Sequence, residues 1–90
     1  MLSFLPKTPS EIQDELKTKF RAKRKALKLI QEKLSIKSGV SLGSLKRFES
    51  CGEISLQSLL KLALVLECLG DFEGVCQEKE EMPKSIEDLL

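Results

Sequence analysis

Ile12, Leu16, Phe20, Leu27 and the pair Leu29 and Ile30 fall four, four and seven residues apart, the spacing of one helical face. They predict a first helix over about 9–28. Thr8-Pro9-Ser10-Glu11 supplies its start: Thr8 can cap, Pro9 suits the first helical position, and Glu11 stands three residues after the cap. The opposite face carries Lys17, Arg21, Lys25 and Lys28. A second helix is predicted over about 31–37, with Leu34 and Ser35 facing inward. Gly39 follows it, where a left-handed residue commonly ends a helix, and Val40 plugs the turn from below. Ser41 caps a third helix over about 42–50, whose apolar side is Leu45 and Phe48.

Cys51-Gly52 interrupts the pattern, and Ser55 caps a fourth helix over about 56–67. Eight of the eleven positions 56–66 are apolar, more than one buried face requires. The surplus is either core or a surface shared with a second copy, and Leu60, Leu64, Phe72 and Val75 are the candidate dimer contacts. A short fifth helix is expected over 70–76. Residues 77–90 are acidic and broken by Pro83, with one amphipathic turn expected over 85–90. The chain thus reads as an N-terminal extension (1–8), one helical domain (9–76) and an acidic tail (77–90).

Ninety residues suffice for one domain with a modest core. Aromatic content is 4%, all Phe, so Leu, Ile, Val and Ala must fill that core in an all-α fold. No apolar run approaches the ~20 residues of a membrane span, and no secretory signal pattern is present, so no membrane role is expected. Cys51, Cys68 and Cys76 are irregularly spaced and odd in number, which predicts reduced thiols in a cytoplasmic protein and neither a disulfide framework nor a metal site. With no His and no nucleophile–base pairing, neither an enzyme nor a cofactor is expected.

The net charge of +1 conceals an uneven division. Residues 17–47 carry eleven Lys or Arg against one acid, Glu32, whereas 48–90 carry three Lys against ten acids. A basic run can be a solvated face, but an almost acid-free one repels itself, and a polyanion relieves that repulsion. Single-strand RNA readers generally use stacking aromatics, and the chain has neither Tyr nor Trp.

Two short helices joined by a Gly-containing turn form a helix-turn-helix, whose second helix enters the DNA major groove. The pattern is Gln31-x-x-Leu34-Ser35-x-x-x-Gly39-Val40-Ser41-x-x-x-Leu45-x-x-Phe48-Glu49. Leu34, Val40, Leu45 and Phe48 hold the pair together, and Gly39 makes the turn. On the second helix Leu42, Gly43, Ser44, Lys46 and Arg47 are candidate base readers, and Ser41 and Ser50 candidate phosphate contacts. Gly43 and Ser44 are weak helix formers whose lack of bulk would let the backbone approach the groove. Lys46 and Arg47 can donate to guanine or bind phosphate, and both readings stay open.

Over about residues 16–75 the chain resembles the phage-repressor and Cro-like group of helix-turn-helix proteins, the XRE family. The resemblance implies five helices, a homodimer and an inverted-repeat operator in double-stranded DNA. It also implies that Gln31 contacts phosphate and braces the third helix, and that Glu49 pairs with a base of the first helix, for which Arg24 is the candidate. The run Phe48-Glu49-x-x-Gly52-Glu53-Ile54-Ser55-Leu56-x-Ser58-Leu59-Leu60-x-Leu62-Ala63 and the later Gly70-Asp71-Phe72 resemble HipB-like antitoxins. That implies an autorepressor in the bacterial nucleoid, partnered by a HipA-like kinase toxin. Three residues depart from the family: Ile30 stands where a Ser or Thr cap is usual, Ser35 replaces Ala, and Leu42 replaces a polar reader. The competing expectation is a protein-binding adaptor that neutralises such a toxin with little DNA affinity.

Overall fold

The computed structural model describes residues 6–78. Most of the expected N-terminal extension, residues 79–90 of the acidic tail and the turn expected at 85–90 lie outside the described residues. The described chain is all-helical: α1 (Pro9–Ala26), α2 (Gln31–Ser38), α3 (Leu42–Cys51), α4 (Leu56–Val65) and a 3-10 helix (Leu69–Gly74).

Helix starts follow local chemistry. The Thr8 hydroxyl accepts the Glu11 N–H at 3.1 Å while the Glu11 carboxylate accepts the Thr8 N–H at 3.3 Å, a reciprocal cap. Ser41 and Ser55 each accept the N–H three residues on, at 3.1 Å, to open α3 and α4. Ile30 offers α2 no side-chain cap.

Two helix ends come earlier than the apolar pattern predicts. The first helix stops at Ala26 rather than 28, and the fourth at Val65 rather than 67. Lys28 (φ 58°) and Glu67 (φ 64°) adopt the left-handed conformation. The Leu29 N–H then reaches Arg24 O and the Lys28 N–H reaches Lys25 O, at 3.1 and 2.9 Å; Cys68 and Glu67 do the same to Ala63 and Leu64. Both ends are therefore Schellman caps, normally built on Gly. The predicted fifth helix at 70–76 is a 3-10 turn over Leu69–Gly74. Replacing Glu67 by Gly should raise stability by about 0.5–1 kcal/mol, since a side chain is disfavoured at that left-handed position. Thermal or urea unfolding measures it.

Every helix of α1–α4 feeds one core: Phe20 from α1, Leu34 from α2, Leu45 and Phe48 from α3, and Leu59, Leu62 and Ala63 from α4, with Val40 and Leu66 from the turns. Phe20 meets Phe48 edge-to-face at 5.4 Å and Phe72 at 6.2 Å, geometry that suits the ring quadrupoles. Ile12, Leu27 and Ile30, read as part of the apolar face of α1, are exposed. Ile12 lies in the first turn of α1, ahead of Leu16, where packing on the core begins. Leu27 and Ile30 flank Lys28, whose backbone takes them out of helical register.

Candidate functional site

The α2–α3 connection is held by hydroxyls as well as by Gly39, which has φ 76°. The Ser35 hydroxyl donates to Val40 O at 2.6 Å, and the Val40 N–H donates to the Ser38 hydroxyl at 3.1 Å. Ser35 thus does more than keep the helices close, because an Ala there would leave Val40 O without that donor. Leu34, Val40, Leu45 and Phe48 are all buried and lock α3 against α2.

With Leu45 and Phe48 inward, the period of 3.6 turns Gly43, Lys46, Arg47 and Ser50 outward as one stripe. Gly43, Lys46, Arg47 and Ser50 are all exposed. A Cβ added to Gly43 would meet nothing within 4 Å. Neither packing within the chain nor a positive φ calls for this glycine. Leu42 is half-buried at the first position of α3. The Ser41 hydroxyl donates to that of Ser44 at 2.9 Å while capping α3.

A buried ion pair sets the angle of α3. Arg24 Nε and Nη2 donate to the two Glu49 carboxylate oxygens at 2.7 and 2.9 Å, and Nη1 donates to Leu29 O at 2.8 Å. The Gln31 amide donates to the same carboxylate at 3.0 Å. The two charged side chains are only 10% and 6% exposed, so the pair is desolvated and its donors and acceptors are used together. Gln31 therefore ties the start of α2 to the end of α3. This pair floors a cleft of about 300 Å³ lined by Arg21, Gln31, Lys46 and Ser50. Arg21, placed by the sequence only on the basic face of the first helix, lies at this cleft; its position seven residues from Lys28 on that face gave no sign of it. Lys25 and Lys28 are exposed and do not line it. The Lys17 ammonium donates to Ser50 O at 3.1 Å and steadies the last turn of α3.

Arg47 faces a second cleft of about 290 Å³, with Ser44, Glu53, Ile54, Ser55 and Ser58. Its Nε donates to the Glu53 carboxylate at 3.0 Å and its Nη2 to the same oxygen. That hydrogen bond and the carboxylate's charge raise the guanidinium pKa above its ordinary value. Glu53 entered from sequence only as part of the HipB-like run, with no role at the site; its place six residues after Arg47 became a contact only through the left-handed turn at Gly52, φ 80°.

The candidate dimer residues divide. Leu64 and Val75 are exposed, Leu60 is half-buried, and Phe72 is half-buried against Phe20. Leu56, Leu60 and Leu64 lie four residues apart on α4 and form an apolar stripe. Cys51 and Cys76 are exposed free thiols, whereas partial burial pushes the Cys68 thiol pKa up. Among the described residues no group of three His, Cys, Asp or Glu side chains could hold a metal ion, and no helix is long and apolar enough to cross a membrane. No family model, curated protein or solved structure matches the chain.

Proposed function

We propose that the chain is a sequence-specific, double-stranded-DNA-binding transcriptional regulator of the XRE type, with α2 and α3 as its helix-turn-helix. The observation that carries this reading is Gly43: a helix-weakening residue with open space beyond its Cα, set beside Lys46, Arg47 and Ser50 on the outward face of α3. Its use lies in what approaches from outside, and a cationic helix face with a gap in its bulk suits a phosphate-lined groove. In this role Lys46 and Arg47 read base edges, and Ser41, Ser50, Gln31 and Arg21 hold phosphates. Leu42 offers an apolar contact to a thymine methyl.

The chain acts as a homodimer on an inverted repeat, with the Leu56–Leu60–Leu64 stripe and Val75 in the dimer contact. It represses its own operon as the HipB-like antitoxin of a HipA-like kinase toxin, in the cytoplasm at the nucleoid. A second reading, an adaptor that neutralises a toxin with little DNA affinity, draws on the same exposed Leu56, Leu64 and Val75. Gly43→Leu separates the two. Helix propensity and free space predict stability unchanged or raised by up to about 1 kcal/mol. Binding to a duplex from the upstream region should fall about tenfold or more, as the loss of a close groove contact would. Equal binding by parent and variant in fluorescence anisotropy favours the adaptor.

A further inference from the structure

Arg47 and Lys46 are the two cations on the outward face of α3, and they are not equivalent. Among the described residues Lys46 has no ionic partner, whereas two guanidinium nitrogens of Arg47 converge on one oxygen of Glu53. The carboxylate is placed there by the turn. Gly52 is buried and left-handed, and a Cβ at that position would sit 3.3 Å from that of Gln13. The chain after α3 is thereby folded back, which sets Glu53 beside the last turn but one of α3. Both side chains remain more than half exposed, at 68% and 57%. The pair is consequently one that an external ligand can open, since solvent screens an exposed ion pair and leaves it weakly held.

A carboxylate beside a surface that meets phosphates weakens binding to every duplex alike. Its effect through Arg47 differs. A phosphate replaces Glu53 with another anion of the same fork geometry and gains little, whereas a guanine offers O6 and N7 together at one fixed place in the groove. We propose that Glu53 is a specificity-determining residue: it holds Arg47 off the DNA backbone, so that Arg47 engages DNA only where a bidentate base edge replaces the carboxylate. This inference rests on the DNA-binding reading. It adds that, of the two cations on this face, Arg47 is the one whose engagement with DNA requires the displacement of a carboxylate.

The test is a double-mutant cycle of Glu53→Gln and Arg47→Gln, measured by anisotropy on two duplexes. One is a random-sequence duplex, and the other is the sequence that the parent enriches from a random pool. Glu53→Gln should tighten random-duplex binding about two- to fivefold, with a smaller gain on the enriched sequence. In the Arg47→Gln background the gain on the random duplex should shrink toward the loss of one repelling charge, and the difference between duplexes should disappear. A gain that is equal on both duplexes, or unchanged without Arg47, makes Glu53 a mere background charge and overturns the proposal. In the DNA-free protein the Arg47 Nε–H nuclear magnetic resonance signal should move on Glu53→Gln; an unmoved signal overturns it as well. If the parent enriches no sequence and binds neither duplex, the DNA-binding reading fails first and the proposal with it.

Discussion

Lys46→Glu should lower affinity for duplex DNA about 100-fold at ~0.1 M salt and leave the fold intact. The side chain is exposed on α3 and lines the cleft with Arg21, Gln31 and Ser50. Losing one phosphate or base-edge contact is worth about 1–3 kcal/mol, and placing a like charge against the backbone adds to that. The slope of log affinity against log salt should become shallower by about 1 or more. Stability should move by less than about 0.5 kcal/mol, because among the described residues Lys46 has no ionic partner to lose. Lys61→Glu on α4 serves as the control: it makes the same change in net charge away from α3. A loss of affinity as large for Lys61→Glu as for Lys46→Glu would mean that total charge, and not the α3 face, governs binding.

The largest effect on stability is expected at the Arg24–Glu49 pair. Glu49→Ala leaves the buried Arg24 guanidinium facing Leu29 O alone and strips the Gln31 amide of its acceptor. Breaking one side of a buried pair costs about 3–5 kcal/mol, a large part of the ~5–15 kcal/mol that holds a small domain. Replacing both partners by apolar residues of similar size, Arg24→Met with Glu49→Leu, should cost far less than either single truncation. The uncompensated charge, and not the lost attraction, is the main penalty. Urea unfolding of the single and double variants gives the coupling directly. The double variant is also informative about DNA: it should fold yet bind more weakly, because Gln31 no longer ties α2 to α3.

What was legible in the sequence was what local chemistry decides. The Thr8, Ser41 and Ser55 caps, the turns at Gly39 and Gly52, and the inward set Leu34, Val40, Leu45 and Phe48 follow from residue type and spacing alone. The ends of α1 and α4 did not, because Lys28 and Glu67 occupy left-handed positions where a reader looks for Gly. The apolar surplus of α4 was legible as a surplus but not as a stripe. Leu59, Leu62, Ala63 and Leu66 enter the core, and Leu56 and Leu64 stay outside, a division set by which neighbours pack on the helix.

Within the candidate site, residues sharing α3 could be grouped by periodicity, whereas contacts across elements could not. Arg21 at the Lys46 cleft and Glu53 on Arg47 depend on interhelical angles and on the Gly52 turn. The Arg24–Glu49 pair was reached only through the family resemblance. Ser35 shows the same limit on a smaller scale: its size was readable, but its hydrogen bond to Val40 O depends on the path of the turn.

The central claim is that the outward face of α3 meets double-stranded DNA. Amide nuclear magnetic resonance on the full chain, titrated with a duplex from its own upstream region at moderate salt, tests it even while the operator is undefined. The account predicts shifts concentrated at Gln31, Ser41, Gly43, Ser44, Lys46, Arg47 and Ser50, fading as salt is raised. Shifts confined to α4 and the 3-10 helix around Leu64 and Val75, or none at all, would contradict it.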